Sequence, residues 1–361
     1  MKLDSILNSP PAWLPVRNET GGIVVGTIVR MVRNLPGFPF PGWSTRESRA
    51  AVAAKLIPAI KSVRGYKTSF SAEMNTLSYG KRRAMLTRKL LTPCMAARQD
   101  GCHVIIPSRR NMILMVNEEE HFVVHAFNDG FDINRSLKDV LQLDEQLQEH
   151  VDIAYDFQNG YLTSIPAEAG DGLQFYVLLH LPALTFANMM GQITKALEKL
   201  HVNVSSYFSD GQDDTGHLYV IFSIPGPEDS IEQMQDGFET VVRHLVMREM
   251  QVRTKLLKDP GLNLLDAIAR AYGLLMCCRR LSIKELRDSI SFLRLGTLLG
   301  VISWEEDEQS VLIELYHFSL AMATQTALAE DTPGSDLNTA RALAARDFLD
   351  KHPHTFSYNQ A

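Results

Sequence analysis

CHVIIPSRRNMILMVNEEEHFVVHAF, residues 102–127, breaks a helical pattern with short β-branched runs. The runs CHVIIPS, MILMVNE and HFVVHAF are separated by Arg, Asn and Glu, the composition of turns between consecutive strands. Glu118, Glu119 and Glu120 stand at the second turn, and composition alone reads them as a solvated acidic turn. His121 and His125 alternate with apolar residues in the manner of structural histidines.

Downstream, SLKDVLQLDEQLQEHVDIAY (136–155) repeats its apolar residues at helical spacing, at Val140, Leu141, Leu143, Leu147 and Val151. GYLTSIPAEAGDG (160–172) is a loop framed by Gly and Pro. It holds Ile165, Glu168 and Asp171, with no nucleophile, base or cation beside them. FYVLLHLP and HLYVIFSI suggest another strand pair around the helix FANMMGQITKALEKL. PEDSIEQMQDGFETVVRHLVMREMQVRTKLLKD reads as one long helix ended by Pro260-Gly261. Residues 262–361 show only helical periodicity, with a Ser282-x-x-Glu285 capping box and a TPGSD loop (332–336) before a final helix.

Upstream, residues 1–45 are rich in Pro and Gly around GIVVGTIVRMVRNL, where Arg30 and Arg33 read as surface cations on an apolar strand. PGFPFPGW stops that strand. From Ser44 to Arg98 the pattern is helical, opening on a Ser44-x-x-Glu47 capping box and continuing in SYGKRRAMLTRKLLTP. The order is therefore helical, then α/β, then all-helical. It divides into an N-terminal strand and helical part (1–98), an α/β part (99–258) and a C-terminal helical domain (259–361).

A chain of 361 residues suggests two or three domains. Its net charge of −6 argues against a broad nucleic-acid surface. No apolar run reaches the ~18 residues of a membrane span, and the N-terminus lacks the features of a secretory leader. Cys94, Cys102, Cys277 and Cys278 are spaced for neither a zinc site nor a disulfide framework. The expectation is a cytoplasmic protein with reduced thiols, Cys277 and Cys278 packing in a helical core.

Several segments, in order and register, resemble the bacterial protein-arginine kinases of the ATP:guanidino phosphotransferase (phosphagen kinase) family. TIVRMVRNLPGFPFP resembles SSRIRLARNLxxxPFP, and VNEEEHF resembles INEEDHxR. VDIAYDFQNGYLTSIPAEAGDGL resembles VDYAFxxxxGYLTSCPTNxGTGLR, and LLHLPAL is nearly the family's own. AIARAYGLLMCCRRLSIKE and FLRLGTLLGVI look like that group's helical domain. The resemblance implies an α+β fold: a small helical part, an antiparallel sheet flanked by helices, and a C-terminal helical domain.

It also implies Mg-ATP as cofactor and phosphoryl transfer to a guanidinium, a reaction that depends on positioning and charge neutralisation. Glu119 keeps the first catalytic glutamate, accompanied by Glu118, and Asp213 falls at the second. Arg30 keeps one nucleotide-binding arginine. Ile28, Val123, Gln174 and Ser205 stand where four others are expected, Ile165 replaces the cysteine, and Glu168 and Asp171 replace an asparagine and a threonine. A site with one arginine of five and two added acids implies weakened ATP binding and a catalytically impaired pseudokinase, acting as regulator or scaffold in protein quality control.

The alternatives are an active kinase with a rebuilt site, drawing on Arg109, Arg110 and Lys81 to Arg83, or a phosphoarginine-binding module built on Arg341. Arg341 and Ala342 remain from the family's RDxxRA motif, over Leu337–Ala342. Partners implied by the resemblance are a second copy in a homodimer, a zinc-finger activator protein and the Clp unfoldase. Nucleic acid, membrane and a bound structural metal are not expected.

Overall fold

The computed structural model describes residues 2–14, 20–98, 100–207, 216–225, 230–332, 334 and 336–357. β1 (Val24–Arg33) buries every residue, so both of its faces must be covered and both edges paired. It sits inside an eight-stranded sheet. The other strands are β2 (Phe70–Glu73), β3 (His103–Ile106), β4 (Met112–Val116), β5 (Phe122–Asp129), β8 (Leu173–His180), β9 (Val202–Ser206) and β10 (Leu218–Ser223), in the order β2-β3-β4-β5-β1-β8-β10-β9. Every pairing is antiparallel. Small two-stranded sheets join β6 (Tyr155–Asp156) to β7 (Gly160–Tyr161), and β11 (Ile302–Trp304) to β12 (His354–Phe356).

The helices are α1 (Leu3–Leu7), α2 (Arg46–Ser62), α3 (Tyr79–Thr87), α4 (Pro93–Ala97), α5 (Ile133–Gln148) and α6 (Pro182–Phe186). They continue as α7 (Met190–Glu198), α8 (Ile231–Lys258), α9 (Gly261–Cys277), α10 (Ile283–Leu298), α11 (Glu308–Leu328) and α12 (Leu337–Lys351). Alternate residues of β1 serve opposite faces. Val29 and Met31 join a core with α2, α5 and α8 through Leu56, Val140 and Val242. Ile28 and Val32 join a second core with α3 and α11 through Met85 and Leu320. A third core lies among α9 to α12. Among the described residues no helix is long and apolar enough to cross a membrane.

The α/β and helical parts meet through a buried polar seam. Ser291 of α10 is shared by His180 Nε2 and His217 Nδ1, each at 2.7 Å. Within the α/β part, Glu249 of α8 accepts from the backbone N–H groups of Ala183 and Leu184 at the start of α6, at 3.1 and 2.9 Å, and from Arg253 Nε at 2.7 Å. A carboxylate at a helix N-terminus satisfies orphan donors, so the acid is buried at full hydrogen-bonding capacity.

Several local expectations are corrected. The N-cap of α2 is Thr45, which accepts from Ser48 N–H, whereas Ser44 donates to Pro41 O at 2.9 Å. The Ser282–Glu285 capping box is present in both directions. A second reciprocal box, Ser230–Gln233, opens α8. β9 is an addition to the expected strands, its mixed VNVSS sequence carrying no clear strand pattern. β2 interrupts the stretch expected to be helical from Ser44 to Arg98, and β11 and β12 interrupt the one expected to be only helical from 262. Cys277 is exposed, which corrects its expected place in a core, while Cys278 is half-buried and packs against the third core.

Candidate functional site

The antiparallel register sets one row of side chains across the sheet. Arg30 on β1 lies opposite His125 on β5 and Gln174 on β8. Ile28, two residues earlier and on the same face, lies opposite Tyr176, which in turn lies opposite Phe222 on β10. Val220 lies opposite Ser205 on β9. Together these residues floor a cleft of about 410 Å³. Its walls come from the α3–α4 connection (Lys89 to Cys94), the β4–β5 turn (Glu118, Glu119) and Glu168 of the 160–172 loop.

Of the positions expected from sequence, Ile28, Arg30, Glu119, Gln174, Ser205 and Glu168 therefore converge. Val123 does not line the cleft; it is fully buried opposite Val32. Ile165 is 40% exposed on the loop and is not part of the lining. Asp213 lies outside the described residues. That segment, 208–215, contains no Lys or Arg in its sequence.

Several polar groups of the cleft bond one another, although among the described residues His125 Nε2 and Ser206 Oγ are buried without a partner. Arg30 is buried, which corrects its reading as a surface cation. Its Nη1 donates to Glu168 Oε2 and to Gln174 Oε1, both at 2.9 Å, and its Nη2 stands 3.8 Å from Glu119. Burial alone would lower the Arg30 pKa, but Tyr176, Glu168 and Glu118 around it raise it instead. Tyr176 donates its hydroxyl to Gln174 Oε1 at 2.8 Å and stacks on Phe222, the rings 5.3 Å apart.

The acidic turn is corrected as well: Glu118 and Glu120 are buried. Glu118 accepts from Thr92 Oγ1 and from Glu119 N–H. Glu120 accepts from Asn34 Nδ2 at 2.6 Å, Ser164 N–H at 2.8 Å and Ser164 Oγ at 2.6 Å. Only Glu119 is half-exposed; desolvation first and then Glu118 raise its pKa. Glu120 thus ties the β4–β5 turn to the 160–172 loop. The loop needs Ser164 for shape, with no nucleophilic role required of it.

Two glycines fix the same loop. A Cβ at Gly160 (φ +69°) would come 2.6 Å from Gly170 O, and one at Gly172 (φ +62°) 2.8 Å from Arg33 Nη1. Neither position tolerates a side chain. Arg33 is also buried, on the opposite face to Arg30, where it pairs with Asp144 and donates Nη1 to the carbonyls of Val32 and Asp171, each at 2.8 Å. Asp171 meets Arg33 through its backbone carbonyl, and its side chain is exposed.

Lys89, His125, Cys94, Tyr176 and Phe222 line the cleft without having been singled out for it from sequence. Lys89 takes φ +57° as the chain leaves α3, and its Nζ donates to Tyr207 O at 3.0 Å. That conformation carries no recognisable signal in RKLL. Burial holds His125 neutral, with its pKa pushed down to about 3. The other cations considered lie elsewhere. Arg110 reaches Ser5, Arg83 reaches Glu330 at 3.7 Å, and Arg109 lines a separate hollow with Asp139.

Among the described lining residues, Arg30 and Lys89 face Glu118, Glu119 and Glu168. An opposite charge about 4 Å away is worth roughly 4 kcal/mol at an effective dielectric of 20, and a like charge costs as much. Arg30 already has its carboxylates. Among the described residues the lining thus holds two cations beside three carboxylates.

Arg341 is buried in the helical part. Nε donates to Leu281 O at 2.9 Å, Nη1 to Thr326 Oγ1 at 2.7 Å, and Nη2 to Asn338 Oδ1. Its donors tie α12 to α11 and to the residue before α10.

Residues 51–252 match the family described as ATP:guanido phosphotransferase, C-terminal catalytic domain. Residues 261–359 match the protein-arginine kinase McsB C-terminal domain. The chain is 29% identical over 319 residues to a protein-arginine kinase of Shouchella clausii, covering 87% of this chain and 88% of that one. It is 28% identical over 342 residues to one of Desulforamulus reducens, covering 93% of each. The fold is similar to the duplicated taurocyamine kinase from Schistosoma mansoni with bound transition state analog components (TM-score 0.58, 18% identity), over 74% of this chain and 38% of that one. It is also similar to lombricine kinase (TM-score 0.52, 17% identity), over 69% of this chain and 78% of that one.

Proposed function

The chain belongs to the ATP:guanido phosphotransferase family, on its protein-arginine kinase branch, and from that membership we propose that it is a catalytically impaired member acting by binding. Its role on this reading is regulator or scaffold in protein quality control in the cytoplasm. Its partners are a second copy, a zinc-finger activator protein or a Clp unfoldase. The observation that carries the proposal is the Arg30–Glu168 ion pair at 2.9 Å. The one arginine that the family pattern leaves in the cleft is neutralised by an acid of the same chain.

Loss of a single preorganised donor in an active site typically costs about 10²–10³ in rate. Four such positions here carry Ile28, Val123, Gln174 and Ser205, and although such losses do not multiply, their joint effect removes useful turnover. Glu119 is a carboxylate well placed to hold a guanidinium, but the other half of the reaction lacks its charge. The rebuilt-kinase alternative requires a basic cluster facing Glu119, and among the described residues Lys89 is the only cation the lining adds to Arg30. The phosphoarginine alternative requires donors that Arg341 spends on Leu281, Thr326 and Asn338.

Calorimetric titration with Mg-ATP is expected to show no binding in the micromolar range, and incubation with ATP and a protein substrate no arginine phosphorylation. ATP-dependent arginine phosphorylation that Glu119→Gln abolishes would overturn the proposal. Glu168→Asn separates the two causes. If that variant alone binds nucleotide, the added acid silences the cleft; if it does not, the absent arginines do.

A further inference from the structure

A second cavity, of about 550 Å³, lies away from the cleft between the N-terminal segment and α11. Leu7, Pro10 and Pro11 form one side, and Phe318, Leu320 and Phe348 the other. Arg88, at the exit of α3, is 4% exposed and lines this cavity. Its Nη2 donates to Ser9 O and its Nη1 reaches Thr324 Oγ1 only at 3.4 Å, while Nε has no partner. Among the described residues no carboxylate pairs with it. Glu314, the acid on the cavity wall, is half-exposed and stands 3.3 Å from His352.

A buried guanidinium without a counter-charge is costly, and an arginine cannot escape the cost by losing its proton near neutral pH. Burial brings the Arg88 pKa down to about 10, still above physiological pH. The buried Arg30, Arg33 and Arg253, by contrast, each pair with a carboxylate: Glu168, Asp144 and Glu249. The cavity size falls within the range of small-molecule sites, about 300–1,000 Å³, and its walls are mostly apolar, with Arg88 as the buried charge and Glu314 a half-exposed acid paired toward His352.

We infer that this cavity is a binding site for a small organic anion, a carboxylate on an apolar body, with Arg88 as the anion-binding residue. The carboxylate meets the Arg88 guanidinium at Nη1, whose contact with Thr324 is long, and the apolar body packs between Pro10, Pro11 and the α11 side chains. The site is separate from the kinase-like cleft, although the next residue, Lys89, lines that cleft. It does not depend on whether the cleft turns over ATP.

The test is calorimetric titration of the full chain with octanoate, beside inorganic phosphate and octan-1-ol as probes of charge and apolar body alone. Octanoate is expected to bind, and each of the others to bind at least about tenfold more weakly, since each lacks one half of the recognition. Arg88→Gln is expected to weaken octanoate binding at least about tenfold. Should that variant fail to fold, Ala321→Trp places bulk at an exposed position on the cavity wall, leaves Arg88 in place, and is expected to abolish binding. Absence of octanoate binding to the unmodified chain, or unchanged affinity in the folded variants, overturns the inference.

Discussion

Asp144→Ala is expected to lower the unfolding free energy by about 3–5 kcal/mol, because it leaves a buried guanidinium unpaired. Arg33 is 2% exposed and meets Asp144 through Nε at 3.0 and 3.1 Å and Nη2 at 2.7 Å. Its guanidinium stacks on the Tyr161 ring at 3.5 Å, and Nη1 holds the carbonyls of Val32 and Asp171. The pair therefore joins β1, α5 and the 160–172 loop at a single buried point. Removal of the acid leaves the charge no route to water. Replacing both partners with apolar residues of similar volume, Arg33→Met with Asp144→Leu, is expected to recover much of the loss.

Urea denaturation followed by circular dichroism reads both variants. The exposed pair Arg270–Asp266 serves as the internal control, and Arg270→Ala is expected to change stability by less than about 1 kcal/mol. A loss below about 1 kcal/mol for Asp144→Ala would show that water or a neighbouring group reaches Arg33, contrary to its burial.

The second large effect is on pH. His125 is held neutral by burial beside Arg30 and Lys89, with a pKa of about 3. His180 is driven well below the usual histidine range by burial and then by Arg294 and Arg253. In the unfolded chain both protonate near pH 6.5. Below that pH the unfolded state takes up protons that the folded state refuses, so stability falls as pH falls. Between pH 6.5 and pH 5 His125 costs about 2 kcal/mol, and His180 acts in the same direction. His121, His103 and His317 are shifted in the same direction by burial and add to the loss. Glu120 opposes it: burial raises its pKa, so it takes its proton first in the folded state and returns part of the loss. Stability from denaturation at pH 7 and pH 5 is expected to differ accordingly, and His125→Leu is expected to reduce the difference by about 2 kcal/mol. Equal stability in the unmodified chain would contradict the neutral burial of these side chains.

Much of the fold is legible in local pattern. The β-branched runs at 103–106, 112–116 and 122–129 are strands because alternate side chains must meet helices on both faces of the sheet. The Ser282–Glu285 box opens α10 because both of its hydrogen bonds close within one turn. Ser44 misled because two adjacent hydroxyl residues compete for one cap, and the backbone entering α2 places Thr45 there. VNVSS misled because β9 is half-exposed and needs no apolar alternation.

The candidate site divides differently. Motif order alone brought Ile28, Arg30, Glu119, Val123, Ile165, Gln174, Ser205 and Asp213 forward as one group. The fold brings Ile28, Arg30, Glu119, Gln174 and Ser205 into one cleft, leaves Val123 and Ile165 out of its lining, and Asp213 lies outside the described residues. What Arg30 does there was out of reach, since its partner Glu168 lies 138 residues away on a loop. Arg33 and Asp144 are likewise separated by 111 positions. By itself the sequence determined the central strands, most of the helices and which residue types occupy the family's positions, because those follow from short-range periodicity and order. Only the tertiary structure decided which charges are spent on one another and which, like Arg88, are buried alone. Ion pairing and desolvation depend on distances of a few ångströms between segments that the chain brings together only when it folds.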